Sequence, residues 1–151
     1  RPDEIILVGG HLDSWDVGQG AHDDGAGCVH AMEVLHILRR TGYQPKRTIR
    51  CVLFANEENG LVGGTDYARI SNEKGEYHMA AIESDRGGFT PRGFTVEAEE
   101  SVFASKYKQL TGWLPLLEPY GLYIRKCVSG ADISRLKSQK FFFSCLLRHT
   151  L

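Results

Sequence analysis

Histidine and acidic residues are concentrated in one glycine-rich stretch near the start of this 151-residue chain, from Gly9 to Gly27. The stretch holds two His, four Asp and six Gly between an apolar run and a helix-like segment. Carboxylates and imidazoles crowded on one loop repel or desolvate one another unless a cation neutralises them, and a divalent metal is the usual solution in proteins. The stretch therefore predicts a metal site.

Three apolar runs with the composition of buried strands each lead into such polar residues. The runs are Ile5–Val8, Thr48–Ala55 and His78–Ile82. The polar residues that follow them are, in chain order, His11 and Asp13, then Glu57 and Glu58, then Asp85. Because parallel strands of one sheet bring their carboxyl ends to the same edge, we expect these side chains to meet there.

The segments between the strands carry helical patterns, so the order predicts an α/β fold with a largely parallel sheet. Apolar residues at three- and four-residue spacing predict a helix with one buried stripe, and a shorter helix follows Gly63–Gly64. The stripe residues are Cys28, Ala31, Met32, Leu35 and Leu38. The apolar content of Thr48–Ala55 indicates burial on both faces of that strand.

The second half of the chain gives weaker patterns. We expect an excursion with a turn at Pro91, an amphipathic helix, a loop rich in Pro and Leu, and one further strand. The corresponding ranges are Phe89–Val96, Ser101–Thr111, Trp113–Tyr120 and Gly121–Ile124.

Composition and motifs exclude several classes of protein. The net charge of -1, with 42% hydrophobic and 25% charged residues, gives no indication of binding to nucleic acid or to anionic membranes. The four Cys residues have no CxxC spacing, so a thiolate zinc site is not supported. The sequence also lacks the phosphate-binding glycine motifs and the G-x-S-x-G elbow of serine hydrolases.

Each acidic motif also has an ordinary structural interpretation. His11 alone is more often a structural histidine, Asp23–Asp24 could cap a helix, and Glu57–Glu58 could be a solvated turn. Together these interpretations are less convincing than each is alone, because all of them would have to hold at once at three strand ends that converge.

Three segments closely resemble the co-catalytic zinc exopeptidases of the aminopeptidase family, in particular its branch of carboxypeptidase Q-like enzymes. They read VGGHLDSWDVGQGAHDDGAG, FANEENG and AIESDRGGFTPRGF, and the resemblance extends from about residue 2 to residue 136. It implies a three-layer α/β/α sandwich with two zinc ions that hydrolyses short peptides. It also implies a secreted or periplasmic location and a possible homodimer.

The resemblance assigns a role to each motif residue. It implies that His11 and Asp85 hold one zinc, that Glu58 holds the other and that Asp23 bridges them. It further implies that Asp13 orients the His11 imidazole, that Glu57 is the general base and that the Asp23–Asp24 peptide is cis. The chemistry agrees, because paired metals activate a shared water, and a carboxylate beside a ligand can accept its proton.

The chain departs from the family pattern after residue 136. We expect residues 1–136 to be a partial zinc peptidase domain and 137–151 a non-family tail, in which the strand before the fifth ligand, a His, is missing. His149 only superficially resembles that ligand, and Arg86 stands where the branch usually has a small residue. On this basis the fold would be incomplete, and the chain would bind one zinc better than two and be at most a weak enzyme.

Two other functions remain open at this stage. One is a zinc-binding, receptor-like domain without catalysis, which the presence of Glu57 and the ligands argues against. The other is a single-zinc acyltransferase similar to glutaminyl cyclases, which the intact bridging pattern around Asp23 argues against.

Overall fold

A mixed β-sheet flanked by helices makes up the computed structural model, which describes residues 1–85 and 87–136 and the backbone of 142–147. The strands are β1 (Glu4–His11), β2 (Thr48–Phe54), β3 (Tyr77–Glu83), β4 (Pro91–Glu97), β5 (Tyr123–Lys126) and β6 (Phe142–Leu147). The helices are α1 (Ala26–Arg40), α2 (Val62–Glu73), α3 (Glu100–Thr111) and the single turn α4 (Leu114–Leu117). No described helix has both the length and the apolar character required to cross a bilayer.

The strand order confirms the predicted α/β fold with a largely parallel sheet. Across the described residues the order is β2-β1-β3-β6-β4-β5. Strand β1 lies between β2 and β3 and is parallel to both. Strand β6 is parallel to β3 and antiparallel to β4, which is itself parallel to β5. The three strands that carry the candidate ligands are therefore adjacent, and their carboxyl ends share one edge.

Helices cover both faces of this sheet. On one face, Leu7 of β1 and Phe54 of β2 pack against Ala68 of α2 in a buried cluster. On the other face, Val8 and Ile82 line a cavity beside α1, and Val96 of β4 packs against α3. Because side chains alternate along a strand, Leu7 and Val8 point to opposite faces of the sheet. This arrangement is the predicted α/β/α sandwich.

The predicted buried stripe of α1 is only partly correct. Cys28 and Ala31 are buried, whereas Met32 is 47% exposed and Leu35 is 37% exposed. Helical spacing identifies the apolar face of a helix but not how far the neighbouring sheet extends beneath it. Helix α1 lies over β1 and β2, and β2 is the edge of the sheet.

The edge position also contradicts the prediction that Thr48–Ala55 is buried on both faces. In β2 only Phe54 is fully buried, and the other residues of the strand are half-buried. An apolar composition alone does not distinguish a central strand from an edge strand that has one paired side.

Two predictions in the second half of the chain are wrong. The expected excursion at Phe89–Val96 is strand β4, in which Pro91 occupies the first position, where a missing N–H is tolerated. The expected loop at Trp113–Tyr120 contains the turn α4 and a short 3-10 helix, each with Pro near its start. Helix α3 and strand β5 confirm the other two expectations.

The segment after residue 136 contributes to the sheet. The backbone of β6 pairs with β3 and β4, so a strand does follow Ala131–Ile133, where we expected the strand of the family pattern to be missing. A short apolar run indicates burial but not its pairing partners, so the place of β6 in the sheet could not be deduced from the sequence. Arg86 and residues 137–141 and 148–151, including His149, lie outside the described residues, and the division at residue 136 stays a prediction.

Glycines allow the turn that carries Asp23 to pack closely on the end of β1. The Asp24 carboxylate accepts hydrogen bonds from the His11 amide and the Gly27 amide, each at 3.0 Å. A Cβ atom on Gly10 would lie 2.4 Å from this carboxylate, and one on Gly27 would lie 2.0 Å from the Ser84 carbonyl oxygen. Any side chain at either position would push the turn away from the strand.

We therefore predict that Gly27→Ala destabilises the fold by about 2 kcal/mol or more, because the added methyl group overlaps backbone and carboxylate atoms. Urea denaturation followed by circular dichroism measures this change. Gly88→Ala is the matched control, since its Cβ atom would lie 3.4 Å from the Ala26 side chain, an ordinary van der Waals distance. Equal stability of the two variants would contradict the close packing at Gly27.

Candidate metal centre

The buried imidazole of His11 lies at the centre of the acidic residues. His11 is the last residue of β1 and is 1% exposed. Its Nε2 atom is 3.0 Å from Oδ1 of Asp23 and 3.6 Å from Oδ1 of Asp85. One potential ligand atom from each of these three residues lies within 4.8 Å of the other two. One nitrogen and two carboxylate oxygens suit a borderline divalent metal such as zinc.

A second group of potential ligand atoms shares His11 and includes Glu57 and Glu58, again within 4.8 Å of one another. Among the described residues, Oε1 of Glu58 is buried and has no hydrogen-bond partner. A buried carboxylate oxygen without a donor is costly, and a cation would relieve that cost. Burial raises the pKa of the Glu58 carboxyl group, and the negative charge of Asp23 raises it further.

Asp13 contacts both groups, one through its backbone and the other through its carboxylate. Its backbone carbonyl accepts the hydrogen bond of His11 Nδ1 at 3.0 Å, whereas its carboxylate lies 3.7 Å from that nitrogen. The carboxylate instead accepts hydrogen bonds from the amides of Glu57, at 2.9 Å, and Glu58, at 3.1 Å. Asp13 therefore links the end of β1 to the loop after β2, and its two contacts place the imidazole and the acidic pair together.

Mutual repulsion of the carboxylates affects their proton affinities. Burial alone would lower the pKa of His11, but contact with Asp85 and the charge of Asp24 raise it to about 10. Burial, opposed by the positive charge of His11, raises the pKa of Glu57. Burial would also raise the pKa of Asp13, but the amides of Glu57 and Glu58 hold it below its usual range. The centre thus carries excess negative charge that a bound cation would offset.

The structure brings together every site residue predicted from the sequence. His11, Asp23 and Asp85 form one group, and Glu57 and Glu58 form the other with His11. The Asp23–Asp24 peptide is cis, as the resemblance implies. Asp24 itself points away from these groups into the backbone of β1 and α1, where it is fully buried and burial raises its pKa to about 7.

Known proteins share both the sequence and the fold of this chain. The profile of Peptidase family M28 matches residues 1–114. The chain belongs to peptidase family M28. Carboxypeptidase Q of Bos taurus is 38% identical over 136 residues, covering 88% of this chain and 28% of the bovine protein. Carboxypeptidase Q of Rattus norvegicus is 46% identical over 131 residues, covering 87% of this chain and 26% of the rat protein.

A solved structure agrees with this family membership. The crystal structure of a Peptidase M28 precursor from Shewanella amazonensis matches with a TM-score of 0.79 and 37% identity, covering 95% of this chain and 32% of that one. The M28 chain described here thus spans less than a third of the length of each of these relatives.

Sequence analysis does not identify two buried acidic residues near the candidate metal centre of this M28 chain. Glu83, the last residue of β3, is fully buried, and its Oε2 atom accepts a hydrogen bond from the Ile133 amide at 2.9 Å. Burial raises its pKa to about 8. Asp132 is 1% exposed, and burial raises its pKa to about 7. The alternation of side chains along β3 indicates the burial of Glu83, because Glu83 lies two residues after the buried Ala81 and on the same face of the strand.

Glu83 makes the stability of the metal-free protein depend on pH. Its pKa in the fold lies above the ordinary value, so the folded chain holds the proton more tightly and loses stability as pH rises through about 8. The raised pKa of His11 acts in the same direction. We predict that, in the presence of a chelator, Glu83 adds about 2 kcal/mol to the free energy of unfolding between about pH 8.5 and about pH 6.5.

Urea denaturation at a series of pH values measures this dependence. Glu83→Gln should remove the Glu83 share of this dependence and leave the share due to His11, because the amide does not titrate. Glu118→Gln at an exposed position should leave the whole dependence unchanged. A stability that increases with pH over this range would contradict the burial of an uncompensated carboxyl group.

Proposed function

We propose that this chain carries the catalytic part of a zinc-dependent exopeptidase that hydrolyses short peptides. The observation that supports this proposal is the convergence of His11, Asp23 and Asp85 on one point, with Glu57 and Glu58 on the neighbouring strand end. Membership of peptidase family M28 supports the reaction class. The short peptide substrate, a possible homodimer and a secreted or periplasmic location are further parts of the proposal, and they rest on the resemblance of the sequence motifs.

The described residues fit zinc as the resident cofactor. His11, Asp23 and Asp85 would hold one ion, and Glu58 together with Asp23 would hold a second. When bound, zinc supplies a Lewis acid that lowers the pKa of a water molecule and polarises the carbonyl of the scissile peptide bond. The first set offers three ligands among the described residues, whereas the second set offers two, since Glu57 acts as the base and His11 belongs to the first set. We therefore propose that one zinc ion binds more tightly than the other.

Hydrogen bonds within the chain prepare His11 for this role. Its Nδ1 donates to the carbonyl oxygen of Asp13 at 3.0 Å, which fixes the ring and directs Nε2 toward Asp23 and Asp85. Ligation requires the neutral imidazole, so metal binding would displace the proton from Nε2. Because the surrounding carboxylates raise the pKa of His11 to about 10, that proton competes with the metal near neutral pH.

Glu57 is the proposed general base. Burial raises the pKa of its carboxyl group, which makes the carboxylate a stronger base. The hydrogen bond from its amide to Asp13 holds the residue at the start of the loop after β2. From this position Glu57 would accept a proton from the attacking water and deliver it to the amine that leaves.

We predict that Glu57→Gln lowers the rate of dipeptide hydrolysis by about 10²–10⁴-fold, because the amide cannot accept the proton. Its zinc content per chain should stay close to that of the unaltered protein, since Glu57 acts as base and not as ligand. Glu58→Gln is the comparison variant and should lose zinc as well as activity. Released amine and metal analysis of the same samples provide the two measurements.

The outcomes separate the proposal from its alternatives. Loss of zinc in Glu57→Gln, with retention in Glu58→Gln, would show that the two roles are exchanged. An unaltered protein that binds zinc but hydrolyses no dipeptide would favour the receptor-like alternative and contradict the proposed catalysis.

A further inference from the structure

A contact between two loops joins two of the proposed metal ligands. The ring of His22 stacks on the ring of Phe89, with centroids 4.8 Å apart and planes inclined by 12°. The amide of Gly88 donates a hydrogen bond to Nδ1 of His22 at 3.2 Å. His22 directly precedes Asp23, and Gly88 and Phe89 follow shortly after Asp85. The contact therefore connects the loop of one ligand to the loop of the other.

The backbone after Asp85 is shaped for this contact. Gly87 has a φ of +103°, and a Cβ atom at that position would lie 2.9 Å from Nδ1 of His22. A side chain at Gly87 would thus be strained and would also push the imidazole away. The loop comes close to His22 because glycine occupies this position.

His22 is absent from both groups of potential ligand atoms among the described residues. Its Nδ1 atom is engaged by the Gly88 amide, and its ring is covered on one side by Phe89. These contacts suit a residue that holds loops together rather than a ligand. Asp23 is the carboxylate whose position such contacts would fix, because its side chain is 54% exposed and its backbone lies in an irregular turn.

We propose that His22 is a positioning residue that clamps the Asp85 loop to the Asp23 turn. It thereby keeps both carboxylates close enough to the His11 imidazole for the three side chains to bind one metal ion. The inference deepens the proposed function and rests on it, because the role of the clamp is to prepare the zinc site. Fixing exposed ligands before the ion arrives lowers the conformational cost of binding. The clamp thus contributes to metal affinity without touching the metal.

Zinc affinity tests this role. A competition titration with a chromophoric chelator compares the unaltered chain with His22→Ala, which loses the stack and the acceptor, and with His22→Phe, which keeps the stack. We expect His22→Ala to weaken zinc binding by about 10-fold, the lower end of the effect of residues that orient ligands. His22→Phe should fall between. His36→Ala is the control, because His36 is an exposed residue of α1 that contacts Glu33.

Amide hydrogen exchange of the metal-free protein tests the clamp separately. His22→Ala should raise the exchange rate of the Gly88 amide and leave the exchange of β1 and β3 unchanged, which also shows that the variant folds. An unchanged Gly88 rate would overturn the clamp itself. Faster Gly88 exchange with unchanged zinc affinity would overturn the positioning role. An unaltered chain that takes up no zinc, while its Gly88 amide is protected, would instead contradict the proposed function.

Discussion

The structure depends on how several carboxylates are held beside one buried imidazole. Like charges at the end of a parallel sheet repel one another, and burial increases the cost of each. Backbone amides offset part of this cost: Asp13 accepts two of them, Asp24 accepts two, and Glu83 accepts one. These hydrogen bonds also fix the loops in place. The same contacts that make the charges tolerable therefore preorganise the site, and a divalent ion would neutralise what remains.

Membership of peptidase family M28 and the geometry of the site support the same function from different sides. The family indicates the class of reaction, whereas the geometry shows which groups of this chain are available for it. Asp13 connects the parts of the site through two different groups. It acts on the acidic pair through its carboxylate and on His11 through its carbonyl oxygen, so one residue aligns the proposed base, a proposed ligand and the imidazole.

The first three strands could be predicted because their signals are local. Each has a short apolar run bounded by glycine or acidic residues, and parallel pairing then places their ends together. The edge position of β2 and the place of β6 between β3 and β4 could not be predicted, because an apolar run does not indicate which strands it pairs with. The predicted turn at Pro91 is wrong, because the position of Pro91 at the start of β4 becomes evident only once the neighbouring strand is known.

The features of the site also separate into those that could be predicted from the sequence and those that could not. The ligand types of His11, Asp23 and Asp85 are visible in the sequence, and their convergence follows from the topology. The burial of Glu83 and Asp132 and the contact between His22 and Phe89 depend on packing between elements, which spacing does not report. Sequence motifs therefore identify the groups that would touch a metal, together with Asp13, but not the buried and stacked residues packed around them.

X-ray absorption at the zinc edge of the zinc-loaded chain tests the central claim, that side chains from three strand ends hold the metal, most directly. The account predicts a first shell of nitrogen and oxygen atoms at about 2.0–2.2 Å, with the outer-shell scattering of one imidazole from His11. His11→Ala should remove the imidazole signal and most of the bound zinc. A shell that contains sulfur at about 2.3 Å, or an imidazole signal that persists in His11→Ala, would contradict the account.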